Sequence, residues 1–544
     1  MSRQAAAPAA RAFCRRIVRT KEALTVSQGA PSDNARSGWL AHAHVLRNPW
    51  FASTLLGLAL WPGYTHPDEW LQSVEIAVRL LTPYATRVPW EFQLDDSGGA
   101  RSVVVPLLAA GPPVSLWHLL DLSPTALAVL IRVYLSLTLG TLCSCAVSKA
   151  ARACGSAPPG SAFALSWPAI VLLPRPLSNS LEAGALAATM LLVLDARTQQ
   201  HGHAMAWSSS RLLGLGATLG IAVFCRFTAV LYLAPLVTFA LLRARASGCL
   251  IRSTFALACG LLAAAVPCFI ADSLWFGRPV ATPWRSLLYN ARSDNLAKHG
   301  IHPRILHVAV NLPLLALPLI YPALAKIKSA RDGVTLALGA TVALPLAVLS
   351  LAPHQEPRFL LPMLLPLAAL GGHTVSTRYK RLFVAFNLAA ALFFGGLHQA
   401  GVLPAISRLV RHVAMNRTAS SSCVPHTQLL FWRTYSVPLS LFRLQDDGTF
   451  TFVDLGAVPR NELDNQLSRM SCLSACSTRV LVMPGWAAPP AGAQPMGSPI
   501  FPHISTEDFG DMVEAAQGQR WTRVWRRAFS LVVFELPCDN HASL

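Results

Sequence analysis

The chain contains 544 residues, of which 53% are hydrophobic and only 13% are charged. Long apolar runs recur up to about residue 400, so the composition excludes a soluble globular protein and predicts a multi-pass α-helical membrane protein. The net charge of +19 does not indicate nucleic-acid binding, because the Lys and Arg residues form short clusters between apolar runs, as cytoplasmic loops of membrane proteins do.

The segment 1–47 is predicted to be a basic cytoplasmic segment. It carries eight basic and two acidic side chains, and no apolar stretch in it resembles a cleavable signal. The apolar run that follows at 48–60 is short for a hydrocarbon core of ~30 Å, which takes about 20 helical residues. We expect this first span to gain length from 40–46.

The apolar runs predict about eleven membrane spans within a transmembrane domain at 48–403. The predicted spans lie near 45–62, 125–148, 161–173, 183–197, 212–224, 227–241, 254–276, 305–325, 334–352, 358–376 and 383–403. An odd number places the two ends of the chain on opposite sides of the membrane. The basic clusters then fall together on the cytoplasmic face, at 149–152, 243–252, 326–331 and 378–381. The polar motifs described below fall on the opposite face.

The segment 63–124 is predicted to be a first lumenal loop. Apolar side chains recur at helical spacing between 70 and 81, and the apolar stretch at 103–120 is interrupted by prolines. Both stretches are predicted to be amphipathic helices in the membrane interface, and two ordinary spans are the alternative. The predicted interfacial anchors are Trp61, Trp70, Trp90 and Trp117.

The segment 404–544 is predicted to form a C-terminal domain of α/β or β-rich structure. Polar residues become more frequent there, and short β-like runs appear. Four of the twelve cysteines lie in this domain, and Asn416 begins an acceptor sequence for N-glycosylation. Because disulfides and N-glycans form outside the cytosol, the domain is predicted to be lumenal. No Cys and His cluster has zinc-binding spacing, so no metal site is predicted.

Two adjacent acids stand in His66-Pro67-Asp68-Glu69-Trp70, just after a short apolar run. Acids at a membrane boundary are costly and mark functional sites. Asp68, set among aromatic residues and partly desolvated, is the predicted base that takes a proton from an acceptor hydroxyl. Glu69 points about 100° away on a helix, so one acid is expected to catalyse and the other to cap or orient. The alternative is that Pro67 and the acids merely open a helix.

A second polar motif, His354-Gln355-Glu356-Pro357-Arg358, precedes an apolar run directly. Arg358 at a helix start is suited to bind a phosphate oxygen bidentately, and free backbone N–H groups there would add to the site. An anionic lipid headgroup is the predicted ligand. The alternative is a polar turn closed by an ion pair between Glu356 and Arg358.

Other polar side chains of the same face are candidate sugar or phosphate ligands. With His354, Glu356 and Arg358, the predicted binding residues are His66, Arg175, Asn179, Arg226, Asn290, His299, His302 and Arg304. For those in the loop 286–304, the alternative is an ordinary solvated loop position.

These motifs resemble a known family. The runs at 66–69, 175–182 and 354–359 look like the signature stretches of the family 22 mannosyltransferases, which depend on dolichyl phosphate mannose. Within the family, the branch that adds the fourth mannose to the glycosylphosphatidylinositol (GPI) anchor has runs similar to Leu288-Tyr289-Asn290, Asn295-Leu296, His299-Gly300, His302-Pro303-Arg304 and Phe431-Trp432-Arg433-Thr434-Tyr435. The resemblance covers about 50–442. Trp70 replaces the smaller aromatic residue common after the acids, and the last hundred residues align poorly.

The resemblance implies a GT-C membrane fold and an inverting transfer in the lumen of the endoplasmic reticulum. The mannose of dolichyl phosphate mannose would be attacked by the 2-hydroxyl of the third anchor mannose, giving an α-1,2 linkage. Asp68 would accept the hydroxyl proton, while groups near Arg358 and His302 would stabilise the departing phosphate. No cofactor or metal is implied, and the partners are the lipid-linked donor, the GPI glycolipid and the membrane.

Two other functions remain open at the level of the sequence. A sibling enzyme would act on the third GPI mannose or on the dolichol-linked N-glycan precursor, and defined acceptor glycolipids would distinguish it. A membrane transporter would have broken helix pairs with internal symmetry and polar residues at mid-membrane depth, and neither feature is evident in the sequence.

Overall fold

The computed structural model describes residues 61–94, 98–159, 162–194, 208–419, 426–445, 448–470, 477–516 and 526–538. The predicted cytoplasmic segment 1–47 and nearly all of the first predicted span lie outside these residues. The side chain of Asn416 also lies outside the described part, so its predicted glycosylation stays a prediction.

The first loop contains two helices, as the spacing of its apolar residues predicts. A helix starts at Asp68, passes through a π-helical turn at Trp70–Val74 and continues as α1, Glu75–Leu81. A short 3₁₀ turn at Trp90–Phe92 leads to α2, Val104–Leu119.

Two of the tryptophans predicted to anchor this loop in the membrane interface have a different place. Trp70 and Trp117 are only 3% and 0% exposed, so they pack inside the protein. The interfacial prediction is wrong for these two side chains, because both lie in the buried core, and Arg443 of the C-terminal domain also covers Trp117.

The described residues between 124 and 397 are mostly helical. The helices are α3 (Pro124–Ala153), α4 (Ser178–Val193), α5 (Ser209–Cys225), α6 (Ala229–Ala246), α7 (Leu250–Phe276), α8 (Thr282–Ala291), α9 (Ser293–Ala297), α10 (His307–Lys328), α11 (Gly333–Leu349), α12 (Pro357–Arg378) and α13 (Lys380–Leu397). In the described part, α3, α6, α7, α10, α12 and α13 are long and apolar enough to cross a membrane. Shorter apolar helices are α2, α5 and α11. The predicted multi-pass helical fold is confirmed, while the number of eleven spans stays a prediction.

Helix α7 combines a lipid-like exterior with a very close helix contact. Its apolar side chains Ile251 and Leu274 are 88% and 79% exposed, which suits a helix surrounded by hydrocarbon. Its other face packs on α5, where a Cβ on Gly216 would lie 2.0 Å from the carbonyl oxygen of Leu257. Only glycine permits this approach of the two backbones, as in other membrane helix pairs.

The helical bundle has a basic end and an opposite, cavity-bearing end. Basic side chains occupy the last turns of α3, α6, α10 and α12, namely Arg152, Arg243, Arg245, Lys326, Lys328 and Arg378. Short links join α5 to α6 and α11 to α12 at the opposite end, where the residues of the predicted polar motifs gather.

The C-terminal domain begins with α14, Val402–Ala419, and is an α/β domain with a five-stranded sheet in its described part. The strands β1 (His426–Trp432), β2 (Phe450–Gly456), β3 (Ser477–Pro484), β4 (Gln494–Pro495) and β5 (Leu531–Leu536) follow the order β2-β1-β3-β5-β4. Strand β1 runs parallel to β2 and β3, whereas β5 is antiparallel to β3 and β4. Helix α15, Arg460–Arg469, packs on one face, and α16, Phe509–Ala516, precedes β5. Cys538 takes part in a disulfide.

The C-terminal domain is fastened to the first loop by polar contacts. The buried carboxylate of Glu75 accepts hydrogen bonds from the backbone N–H groups of Arg87 and Ser440, at 2.5 and 2.8 Å. The guanidinium of Arg87 pairs with Asp454 of β2 at 3.2 Å. Arg443 lies over the Trp117 ring at 4.2 Å. The sheet domain therefore holds the loop that carries His66-Pro67-Asp68-Glu69.

Candidate active site

A cavity of about 870 Å³ opens at the end of the bundle opposite the basic clusters. One wall is apolar and consists of membrane-helix residues, including Val223 and Phe224 of α5, Leu231 of α6, and Val348 and Leu349 of α11. The other wall is polar and aromatic, and it comes from the first loop and from α8 with the residues after it. A cavity with these two walls suits a ligand that is part lipid and part polar.

The two sequence motifs meet in this cavity. The guanidinium of Arg358 lies 2.6 Å from the carboxylate of Asp68 and also forms an ion pair with Glu356. The side chains of Asp68 and Arg358 are 19% and 9% exposed, so this group of three charges is largely removed from water. The ion pair between Glu356 and Arg358 is present, as the alternative interpretation of this motif predicts. It faces the cavity together with Asp68 instead of closing an isolated turn.

Two histidines orient the carboxylates. The backbone N–H of Asp68 donates to Nδ1 of His66 at 3.1 Å, which leaves Nε2 of the same ring 3.5 Å from Glu356. On the other side, Nε2 of His354 lies 2.8 Å from Glu356. Because Nδ1 of His66 accepts a hydrogen bond, the neutral ring carries its proton on Nε2, facing Glu356.

The charges around Asp68 keep it ionised. Burial raises the pKa of Asp68, but the nearby Arg358 and His66 outweigh burial, so the pKa lies below its ordinary value. The same balance of burial against Arg358 and His66 places the pKa of Glu356 well below its usual range. Burial and Arg358 lower the pKa of His66, which favours the neutral ring. The cavity therefore holds an ionised carboxylate that can accept a proton.

Two further guanidinium groups line the cavity beyond Arg358. Arg226, in the link between α5 and α6, donates to the hydroxyl of Ser178 at 3.1 Å and pairs with Glu182 at 3.5 Å. Arg101 donates to the same hydroxyl at 3.3 Å, and among the described residues it forms no ion pair. Arg226 also lies over the ring of Phe359, 5.1 Å from its centroid. These cations make the site suitable for a phosphate group.

Glu69 lies behind the site and does not line the cavity. Its carboxylate receives two hydrogen bonds of 3.2 Å from one guanidinium nitrogen of Arg175. The side chains of Arg175 and Glu69 are 4% and 2% exposed. Nearby, Arg132 donates to the carbonyl oxygens of Trp61 and Gly63. The pair of Glu69 and Arg175 therefore orients the segment 66–69.

The structure brings together most of the predicted site residues. Those that line the cavity are His66, Asp68, Arg226, Asn290, His299, His354, Glu356 and Arg358. The others lie outside its lining: Glu69, Arg175, Asn179, His302 and Arg304. Asn179 donates to Glu182 at 3.4 Å, and His302 accepts the backbone N–H of Gln355 at 3.2 Å. Asn179 thus reaches the cavity residue Arg226 only through Glu182, while the ring of His302 lies against that of the cavity residue His354, with 5.5 Å between the centroids.

Several cavity residues were not predicted as ligands. They are Gln72, Trp90, Glu91, Arg101 and Tyr289. Two signals in the sequence could have identified some of them. Arg101 is a single cation close to an apolar stretch of the first loop. Trp90-Glu91 places a charged residue between a proline and an apolar residue. In the described residues, no group of three or more His, Cys, Asp or Glu side chains is arranged to hold a metal ion.

Solved structures define the class of protein. The structure of ArnT from Cupriavidus metallidurans bound to undecaprenyl phosphate superposes with a TM-score of 0.51 at 13% identity, covering 93% of this chain and 99% of that one. The apo structure of the same protein gives a TM-score of 0.50 at 15% identity. This chain has a helical membrane domain with a polar cavity at one end, and a sheet domain follows it. Its fold is therefore the GT-C glycosyltransferase fold, as predicted.

The sequence defines the family. The chain belongs to the Alg9-like mannosyltransferase family, whose model matches residues 50–443, and it is therefore a glycosyltransferase enzyme. It is 33% identical to GPI mannosyltransferase 4 of Eremothecium gossypii over 72% of this chain and 76% of that one. It is 32% identical to GPI alpha-1,2-mannosyltransferase 4 of Homo sapiens, over 87% of this chain and 90% of that one. The predicted family is confirmed.

Proposed function

We propose that this mannosyltransferase transfers mannose from dolichyl phosphate mannose to the 2-hydroxyl of the third mannose of a GPI precursor. The reaction takes place in the lumen of the endoplasmic reticulum and produces an α-1,2 linkage. The names of the relatives from Eremothecium gossypii and Homo sapiens support the GPI substrate class, and the human name supports the linkage. The donor lipid and the catalytic role of Asp68 rest on the geometry of the cavity.

The chemistry is a single displacement with inversion. The acceptor hydroxyl oxygen attacks C1 of the donor mannose from the face opposite the phosphate, while its proton passes to the carboxylate of Asp68. The bond between C1 and the phosphate oxygen breaks, and dolichyl phosphate leaves with the electron pair. Asp68 thus acts as general base, and the cations stabilise the charge that develops on the phosphate.

The observation that carries the proposal is the contact between Asp68 and Arg358 inside one cavity. A phosphate that binds Arg358 competes with Asp68 for the same guanidinium. When Arg358 turns toward the phosphate, Asp68 loses the partner that lowers its pKa, so it becomes a stronger base. Donor binding would therefore activate the base, and Arg101 and Arg226 would add charge to the phosphate site.

The shape of the cavity supports a lipid-linked donor. Its apolar wall is formed by the ends of membrane helices, so an isoprenoid chain can remain in hydrocarbon while the attached phosphate reaches the arginines. In this arrangement the donor sugar lies between the arginines and the polar wall, beside Asp68.

The decisive experiment measures mannose transfer from dolichyl phosphate mannose in microsomes that contain wild-type protein or Asp68→Asn. We expect Asp68→Asn to reduce the rate by about 10²- to 10⁴-fold, because the asparagine amide cannot take the proton. Asp464→Asn is the matched control, since Asp464 lies on α15, is 55% exposed and does not line the cavity. Equal rates from wild type and Asp68→Asn would remove Asp68 as the base.

The acceptor is tested in the same membranes. Glycolipids with two or three GPI mannoses and the dolichol-linked N-glycan precursor are offered in turn, and the product linkage is determined with an α-1,2-specific mannosidase. We expect transfer only to the GPI lipid with three mannoses. Transfer to either of the other two acceptors instead would assign the protein to a sibling activity of the family.

A further inference from the structure

The polar wall of the cavity contains a group of aromatic rings that the proposed chemistry does not use. Trp90 follows a proline of the first loop, and Tyr289 lies in α8. Their ring centroids are 4.6 Å apart, with 36° between the ring planes. The ring of His299 is stacked on Trp90 at 6.1 Å, and the hydroxyl of Tyr289 lies 2.9 Å from Nε2 of His299. All three side chains line the cavity.

Two polar side chains connect this aromatic group to the proposed base. Gln72 is four residues after Asp68 on the same helix, and both side chains line the cavity. The amide of Gln72 donates to the carboxylate of Glu91 at 2.8 Å. Glu91 directly follows Trp90 in the chain, so the lining runs without a break from the base to the rings.

The electrostatics of this part of the cavity favour a neutral ligand. Glu91 is only 9% exposed, and burial raises its pKa while Arg101 opposes that effect. A carboxyl group here repels a second phosphate, but it can bind hydroxyl groups together with the amide of Gln72. Of the arginines that line the cavity, Arg101 acts on Glu91, whereas Arg226 and Arg358 pair with other carboxylates.

The arrangement matches the two surfaces of a pyranose ring. A sugar has one apolar face of C–H groups, which packs on an aromatic ring, and a rim of hydroxyls, which needs donors and acceptors. Trp90 and Tyr289 supply a ring surface, while Gln72 and Glu91 supply polar groups that are already positioned by each other. An isoprenoid chain would offer no partners to the donors and acceptors that remain on these two groups beyond their mutual hydrogen bond, which is costly.

We propose that Trp90, Tyr289, Gln72 and Glu91 form a saccharide subsite that holds the glycan of the acceptor. The inference deepens the proposed function and rests on it for the identity of the glycan. The subsite positions the acceptor so that its terminal sugar presents a hydroxyl to Asp68. The residues of the subsite bind and orient the acceptor, and they take no part in proton transfer.

The kinetic test compares the KM for the glycolipid acceptor with the KM for dolichyl phosphate mannose. In Trp90→Ala we expect the acceptor KM to rise about tenfold, with the donor KM unchanged within about twofold. Trp90→Phe retains an aromatic ring and should recover most of the loss. Trp284→Ala is the control, because Trp284 lies in α8, is 59% exposed and does not line the cavity. An unchanged acceptor KM, or a rise in the donor KM alone, would overturn the proposal.

A binding experiment separates the subsite from the proposed function. Purified wild-type protein is titrated calorimetrically with a free trimannoside, in parallel with Trp90→Ala and Glu91→Gln. We expect binding by the wild type and a loss of about tenfold or more in both variants. If transfer to the GPI lipid fails but this pattern appears, the subsite stands and the proposed acceptor is wrong. Equal binding by the three proteins, or none by the wild type, would overturn the subsite.

Discussion

Two buried groups of charges lie next to each other in this protein, and they differ in what they face. Asp68, Glu356 and Arg358 line the cavity, so a ligand can reach and rearrange them. Glu69 and Arg175 are almost completely enclosed, with no part in the cavity lining. Adjacent acids in one motif therefore have different environments. Burial alone does not identify a catalytic acid; access to a cavity distinguishes the two.

The largest effects are expected when one acid of each group is replaced. Replacing the enclosed acid should lower stability, and replacing the acid that lines the cavity should lower activity. Glu69→Ala leaves the charge of Arg175 buried without its partner, so we expect a loss of about 3 to 5 kcal/mol in the free energy of unfolding. Asp68→Asn should lose activity by about 10²- to 10⁴-fold while the protein stays folded. Thermal unfolding of the purified variants and transfer rates measure the two effects. A stable Glu69→Ala protein with normal activity would contradict the comparison.

The group that faces the cavity should be sensitive to the shape of its cation. Arg358→Lys keeps the positive charge but loses the planar fork that binds two oxygens at once. We expect the KM for dolichyl phosphate mannose to rise about tenfold and the acceptor KM to change less. Arg460→Lys on α15 is the control, since Arg460 pairs with Asp464, donates to the carbonyl oxygen of Ala488 and does not line the cavity. Equal KM values for wild type and Arg358→Lys would remove Arg358 from the donor site.

Another buried acid, Glu75, should make the joint between the first loop and the C-terminal domain depend on pH. Burial raises the pKa of Glu75 from its ordinary value of 4.5 to about 7, because the effect of burial is larger than that of the hydrogen bonds, which lower the pKa. The folded state therefore holds a proton that the unfolded state releases, so stability falls as the pH rises from about 4.5 to about 7. The expected change is at most about 3 kcal/mol.

Limited proteolysis of the C-terminal domain across this pH range measures the effect. Glu75→Gln cannot titrate, so its proteolysis rate should lose most of the wild-type pH dependence, whatever its absolute stability. A wild-type rate that falls as the pH rises would contradict the assigned direction of the pKa shift.

The smallest effect is expected in the dependence of kcat/KM on pH on the acidic side. The pKa of Asp68 in the free enzyme lies below its ordinary value, because Arg358 and His66 outweigh the effect of burial. Asp68 therefore stays ionised as the pH falls from about 8 to about 5, and kcat/KM should drop by less than about twofold from this cause. A histidine base with an ordinary pKa would lose more than about tenfold over the same range. A drop of that size would assign the base to a histidine instead.

The sequence was informative where a motif combines unusual residues with a membrane boundary. The acids at 68–69 and the motif at 354–358 were predicted as site segments, and each segment contributes to the cavity lining, the first through Asp68 alone. The GT-C fold followed from the resemblance carried by these motifs. The pattern could not tell which acid faces the cavity, because the direction of a side chain at a helix start depends on what packs around it. The position of Arg175 decides it here.

The aromatic side of the cavity could not be predicted in the same way. Trp90 was interpreted as a membrane anchor, since a tryptophan in a loop beside apolar helices is typical of that role. Its contact with Tyr289 joins residues almost two hundred positions apart. The role of the C-terminal domain was also unpredictable, because Ser440 reaches Glu75 only through the folding of the whole chain.

The fastening of the sheet domain to the first loop has a consequence for shortened forms of this enzyme. Strand β5 is the last of the described strands along the chain, yet it lies inside the sheet between β3 and β4. A premature stop codon before Leu531 would remove an interior strand, and the disturbance would spread through β1 toward Tyr435, whose ring contacts His66 at 6.4 Å. Such an allele would encode every residue that lines the cavity and still produce an inactive enzyme.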